Sequence, residues 1–278
     1  MLSQNFSPKV IQIMFRLNRF ALSALTASFL ILSASNSALA QPTPARVKNI
    51  VLVHGAFADG SSWSKVVPLL QDEGLQVIAV QNPLTSLKDD VAATKRAIAM
   101  LDGPVLLVGH SWAGVVFTEA GNDPKVVGLM YVSGLAPNDG QSLSDVPQTT
   151  PPPPGNAQYK LDDSGFQTLT LKGLIEDFAQ DVPASEAKVM FATQGPWAKR
   201  AVTDKVTKAA WKAKPSWVII DTEDRMIKPD MERAAAIKMK ATTIEIKASH
   251  VPMVSQPRKV ADFIIKAARS LSTQPSKR

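Results

Sequence analysis

The chain has 278 residues, no cysteine, three histidines and a formal charge of +7. The missing cysteine excludes disulfides, a thiolate nucleophile and a lipidated cysteine. The basic residues form no run interleaved with aromatics, so nucleic acid is not an expected partner.

The first forty residues read as a targeting segment. Lys9, Arg16 and Arg19 precede an apolar run from Phe20 to Leu32, and "SASNSALAQ" places Ala38 and Ala40 before Gln41. That is the order of a secretory signal. The run is too short for a membrane span, which needs about 20 residues. The expectation is removal of residues 1–40 and a periplasmic or secreted product, with no stable membrane anchor after cleavage. Met14 opens a more ordinary signal and is the alternative start. The segment removed carries three basic and no acidic residues, so the charge falls from +7 to +4. Residues 41–278 are then long enough for a single domain with a sizeable core.

From residue 48 onward, short apolar runs alternate with amphipathic ones. The short runs are 49–53, 76–80, 104–108, 126–132, 216–220 and 243–247. Most are rich in Val and Ile and apolar on both faces, as strands buried between two helix layers are. Residues 62–73 are a weak helix candidate because Pro68 interrupts them. Residues 86–101 place Leu87, Val91, Ile98 and Leu101 on one stripe, with Ser86 as a plausible N-cap. Residues 257–271 place Val260, Phe263, Ile264, Ala267 and Leu271 on another, with Pro257 in the first turn. Strand and helix in alternation predict an α/β fold built from βαβ units. The alternation stops over about 136–214. "VPQTTPPPPGN" at 146–156 excludes a helix or a central strand. Helical candidates follow at 171–180, 184–193 and 196–211. This block is read as a small helical cap over a pocket at the strand ends, where ligands of such sheets bind. The tail "STQPSKR" is expected to be disordered.

The chemistry centres on "GPVLLVGHSWAG". Ser111 follows a buried-type strand and opens a helix-type segment, the context of a nucleophile elbow. Small residues at Gly109 and Ala113 would let strand and helix approach closely, although the second place is usually glycine. A serine needs a base. His110 lies within the turn, where it would point away from the hydroxyl, and His54 shapes the loop after the first strand. His250, in "IKASHVPM", follows the last strand and lies at the same sheet edge as Ser111. The third member must hold the imidazole's tautomer. Of Asp221, Glu223, Asp224 and Asp230 after the fifth run, Asp224 has the best reach and Glu223 is the reserve. Asp139 is a less common location. An acyl transfer also needs two backbone N–H groups facing the oxyanion. The expected donors are Trp112 and, from "HGAFADG", Ala56 or its neighbour Phe57. Phe57, Trp112 and Met253 are candidate pocket residues, with core packing an equal reading for Met253.

"VLVHGAFADGSSW", "VLLVGHSWAG", "DTEDRMI" and "ASHVPM" resemble the four key loops of the α/β-hydrolase superfamily, in the right order and over nearly all of 48–270. The chain is most similar to the small esterases related to plant methylesterases and hydroxynitrile lyases. The resemblance implies a six-stranded, mostly parallel sheet with helices on both faces, and a Ser111–His250–Asp224 triad. Dehalogenases and epoxide hydrolases of this fold need an aspartate where Ser111 stands. The lyases use a lysine just after the histidine, where Val251 and Pro252 follow here.

The expected activity is that of a serine carboxylesterase acting on small-molecule esters, with no cofactor and no metal required. A lactone hydrolase, including one for macrolide-type cyclic esters, is the alternative. A hydrolase-fold protein that binds a small molecule without turnover is a reading of another class.

Overall fold

The computed structural model describes residues 47–147 and 151–271. The expected signal segment, the start-codon alternative and the C-terminal residues 272–278 lie outside them. So do residues 148–150 of the proline-rich stretch.

Six strands form one sheet. β1 (Asn49–Val53), β2 (Gln76–Val80), β3 (Val105–His110), β4 (Val126–Val132), β8 (Ser216–Asp221) and β9 (Thr242–Ile246) lie in the order β2-β1-β3-β4-β8-β9. Every pairing is parallel. The inner strands β1, β3 and β8 are buried along their whole length. The two edge strands are not: β2 and β9 each bury only their last residue. Burial on both faces therefore holds for the centre of the sheet, where helices cover both sides, and fails at its edges.

The sheet divides the core in two. Ile50, Leu52, Leu106 and Val108 face one apolar cluster, while Val51, Val53, Val105 and Leu107 face the other. This is the period-2 alternation of side chains across a strand. Helices α1 (Val67–Gln71), α2 (Leu87–Ala99), α3 (Ala113–Ala120), α5 (Pro229–Met239) and α6 (Pro257–Leu271) accompany the sheet. α2 begins where expected, with the Ser86 hydroxyl accepting from the Asp89 N–H. The weak candidate at 62–73 divides into a 3₁₀ turn at Gly60–Trp63 and the short α1, which Pro68 opens instead of breaking.

The insertion between β4 and β8 holds more than helix. After the prolines come β5 (Tyr159–Leu161), β6 (Phe166–Leu169), α4 (Ala184–Thr193) and β7 (Trp197–Ala198). The three strands make an antiparallel sheet in the order β5-β6-β7. Residues 171–180 form one α-turn that runs into a π-helical turn. Residues 196–211 give β7 and isolated 3₁₀ turns. The signal for the hairpin is the Asp-Ser-Gly turn before "FQTLTL", where Gly165 sits at φ +84°.

Strand order places the site. The chain reverses direction of travel across the sheet between β1 and β3, and their register pairs Val53 with Gly109. The loops leaving these two strands open a crevice at their carboxyl ends, as at the switch point of other doubly wound sheets.

Candidate active site

Ser111 leaves β3 with φ +53°, a left-handed conformation that a non-glycine residue adopts only when its surroundings impose it. The Ser111 N–H donates to the Val132 carbonyl at 3.0 Å, which ties the turn to β4. Close approach then restricts the neighbours. A Cβ on Gly55 would stand 2.8 Å from the Ser111 Cβ, and one on Gly114 would stand 2.6 Å from the Leu135 carbonyl oxygen. The glycine expected at 113 is thus required at 114, and the Ala113 methyl is accommodated in the core.

β8 and β9 bring the other two residues together. Their pairing continues past the strand ends: the Thr222 N–H donates to Ile246 O, and the Glu223 N–H to Ala248 O. Asp224 and His250 therefore leave the sheet side by side. His250 Nε2 lies 2.8 Å from Ser111 Oγ, and His250 Nδ1 lies 2.6 Å from Asp224 Oδ2. The second Asp224 oxygen accepts from the N–H groups of Met226 at 2.7 Å and Ile227 at 2.9 Å. With both of its oxygens engaged, the carboxylate fixes the imidazole with Nδ1–H toward it and Nε2 toward the serine. His250 and Asp224 are buried, while Ser111 is partly exposed.

The remaining acids take other partners. Glu223 pairs with Lys247, Asp230 with Arg233, and Asp139 with Lys212. Asp221 is buried and accepts from the Ser133 hydroxyl, and its N–H donates to Glu232 Oε2. Burial pushes both the Asp221 and Glu232 carboxyls well above the usual range, and the Asp224 charge adds to this. Three neighbouring buried carboxyls cannot all ionise.

The other two histidines are structural. His54 donates from Nδ1 to Gly55 O and accepts at Nε2 from the Asn82 N–H. Burial lowers its pKa, so the ring is neutral. His110 donates from Nε2 to the His250 carbonyl at 2.8 Å, and its ring lies 4.8 Å from that of His250. It braces the backbone of the proposed base, a contact that its position in the turn did not foretell.

A cavity of about 120 Å³ opens at Ser111. Ala56, Phe57 and Trp112 line it, as expected of the oxyanion loop and elbow. Met253 does not. It is wholly buried in the apolar core, because the short turn Pro252–Ser255 directs it inward. The rest of the wall comes from the insertion: Tyr159, Phe178 and Trp197 join Phe57 and Trp112 to form an aromatic box. Phe57 stacks on Tyr159 at 5.3 Å, and Trp112 meets Trp197 at 5.2 Å. Burial and the Asp224 charge push the Tyr159 phenol up to about 12, so it stays protonated. The aromatic residues of the insertion were the available signal for this wall. The insertion is fastened over the site through Asp177–Arg225 at 2.8 Å, Gln180 to Glu223 O at 2.6 Å, and the Ser249 N–H to Asp181 at 3.0 Å. Among the described residues no cluster of ligating side chains could hold a metal ion, and no helix is long and apolar enough to cross a membrane.

Comparison with known proteins agrees with this architecture. A pyrethroid hydrolase of Sphingobium wenxiniae is 24% identical over 250 residues, covering 78% of this chain and 86% of that protein. A carbendazim hydrolyzing esterase of a Nocardioides species is 29% identical over 171 residues, covering 55% and 66%. The solved structure of an extracellular alpha/beta-hydrolase from a Paenibacillus species superposes with a TM-score of 0.69 at 20% identity, covering 80% of this chain and 99% of that one. The model of the alpha/beta hydrolase family matches residues 50–263, and the chain belongs to that family.

Proposed function

We propose that the protein is a serine carboxylesterase that cleaves small-molecule esters through an acyl-enzyme. The observation that carries this reading is the unbroken hydrogen-bonded relay from Ser111 through His250 to Asp224. Ser111 Oγ attacks the ester carbonyl as its proton passes to His250 Nε2. The imidazolium is stabilised by Asp224. The oxyanion faces the backbone N–H groups of Trp112 and of Ala56 or Phe57, which hold the developing charge without reorganising. The alcohol departs with the proton from His250. Water, activated by the same histidine, then releases the acid and restores the serine. Apart from that water, each step uses only this chain's own groups.

The substrate class follows from the walls. Five aromatic side chains around a small cavity favour a planar or branched apolar group beside the ester. A second cavity of about 860 Å³ shares Leu143, Tyr159 and Trp197 with the first. It offers room for the ester's other arm. The two relatives, by name a hydrolase and an esterase, support a hydrolytic activity on an ester-type bond. A lactone would be opened by the same steps, and product mass separates the two, since ring opening adds water without splitting the molecule.

Ser111→Ala is expected to lower the hydrolysis of short acyl esters by at least roughly 10³-fold, with an unchanged melting temperature. Wild-type rates in that variant would refute the mechanism. Export to the periplasm or medium rests on the pattern of residues 1–40 alone. Mass spectrometry of the purified protein should find a new N-terminus near Gln41, and an intact first residue would overturn it.

A further inference from the structure

Asp90 is a charged residue in an unexpected place. It lies in the first turn of α2 and is wholly buried. The usual work of an acid at a helix start falls to its neighbour: Asp89 receives the Ser86 and Thr85 hydroxyls, and its N–H donates to Ser86. Asp90 has no cationic partner among the described residues. Instead its two oxygens take two separate N–H donors. Oδ2 accepts from the indole Nε1 of Trp112 at 2.7 Å, and Oδ1 accepts from the backbone N–H of Leu84 at 2.8 Å.

Both donors lead to the site. Trp112 follows Ser111, and its backbone N–H is the proposed oxyanion donor. Leu84 is held at φ +58°, and its carbonyl accepts from the Ala198 N–H of β7 at 2.8 Å. The neighbouring β7 residue, Trp197, packs on the Trp112 ring. One carboxylate thus joins the elbow, the β2–α2 loop and the cap strand. Burial pushes this carboxyl up to about 6, opposed by the Trp112 and Leu84 bonds, and the charge acting on it is that of Asp89. A buried, uncompensated carboxylate costs stability, whereas an apolar residue would suit the packing. What only a carboxylate supplies here is two acceptors fixed relative to each other.

We propose that Asp90 is a positioning residue for the oxyanion site, fixing Trp112 against the elbow and locking the cap strand β7 to the same carboxylate. The proposal rests on the serine esterase reading of Ser111. Asp90 touches no substrate and acts through Trp112.

The test compares wild type, Asp90→Asn, Trp112→Phe and the double variant on a short acetyl ester. Asparagine keeps the shape but can accept only one of the two bonds, because its Nδ2 is itself a donor. Phenylalanine removes the indole donor while keeping an aromatic ring beside Trp197. Each single variant is expected to lower kcat roughly tenfold or more, with KM changed less than about twofold, because oxyanion contacts strengthen only in the transition state. The double variant is expected to lose less than the product of the two single effects, since both act on the one junction that Asp90 holds between Trp112 and Leu84. Wild-type kcat in a folded Asp90→Asn, or single-variant effects that multiply in the double variant, would overturn the proposal. If Asp90→Asn does not fold, Trp112→Phe decides alone: an unchanged kcat rejects the role. A wild-type protein that cleaves no ester would fail the esterase reading itself, before any variant is compared.

Discussion

At the scale of single residues, the site is a set of imposed conformations and shared hydrogen bonds. Ser111 is held at positive φ, His250 is fixed from both ring nitrogens, and its carbonyl is braced by His110. Asp90 shows what such arrangements cost. Its carboxyl is raised from 3.8 in the unfolded chain to about 6 in the fold. The folded protein therefore binds the proton more tightly between those values. Its contribution to stability is greatest at low pH and falls as pH rises through about 6. A shift of that size corresponds to about 3 kcal/mol. Denaturant unfolding should show the balance between wild type and Asp90→Asn moving toward the variant by about that amount from about pH 4 to about pH 7. A pH-independent difference would contradict it. The sequence singled out Ser111, His250 and Asp224 because each follows an apolar run at one sheet edge. It gave no sign of Asp90's role, because "KDDVAA" reads as an exposed helix start and only the packing buries the second acid. Met253 was ambiguous for the opposite reason: an apolar residue beside a histidine suits a pocket and a core equally.

At the scale of elements, the parallel sheet and its helices follow from patterns that survive without tertiary context. α6 is the plainest case, with Val260, Phe263, Ile264 and Ala267 buried on one stripe. Ile264 is fully buried. Ile264→Ala is expected to lower unfolding free energy by about 2–5 kcal/mol through lost burial and a residual cavity. A change below about 1 kcal/mol in guanidinium denaturation would show that the helix is not anchored there. The insertion was less legible. Its strands are two to four residues long. Such segments carry too few alternations to distinguish a strand from a helix turn, and their pairing partner β7 lies some thirty residues onward. The hydrophobic pattern indicated an excursion from the βαβ rhythm, and the chain contacts decided that it would include a sheet.

At the scale of the molecule, strand order does the assembling. The switch between β1 and β3 sets the loop of Ala56 beside Ser111, and the β8–β9 pairing delivers Asp224 and His250 to the same edge. The insertion then closes the crevice with Tyr159, Phe178 and Trp197. Trp197 stands between the inner and outer cavities. Trp197→Ala should merge them and shift relative kcat/KM toward esters with bulkier arms, read from a panel of graded acyl and alcohol sizes. An unchanged order of preference would remove Trp197 from the specificity wall.

The central claim is that Ser111 is activated by His250. It is tested most directly by treating the folded protein with a fluorophosphonate and mapping the adduct by peptide mass spectrometry. The account expects one adduct, on Ser111, formed rapidly in wild type and lost in a folded His250→Ala variant. No adduct on wild type, or equal labelling without the histidine, would contradict it.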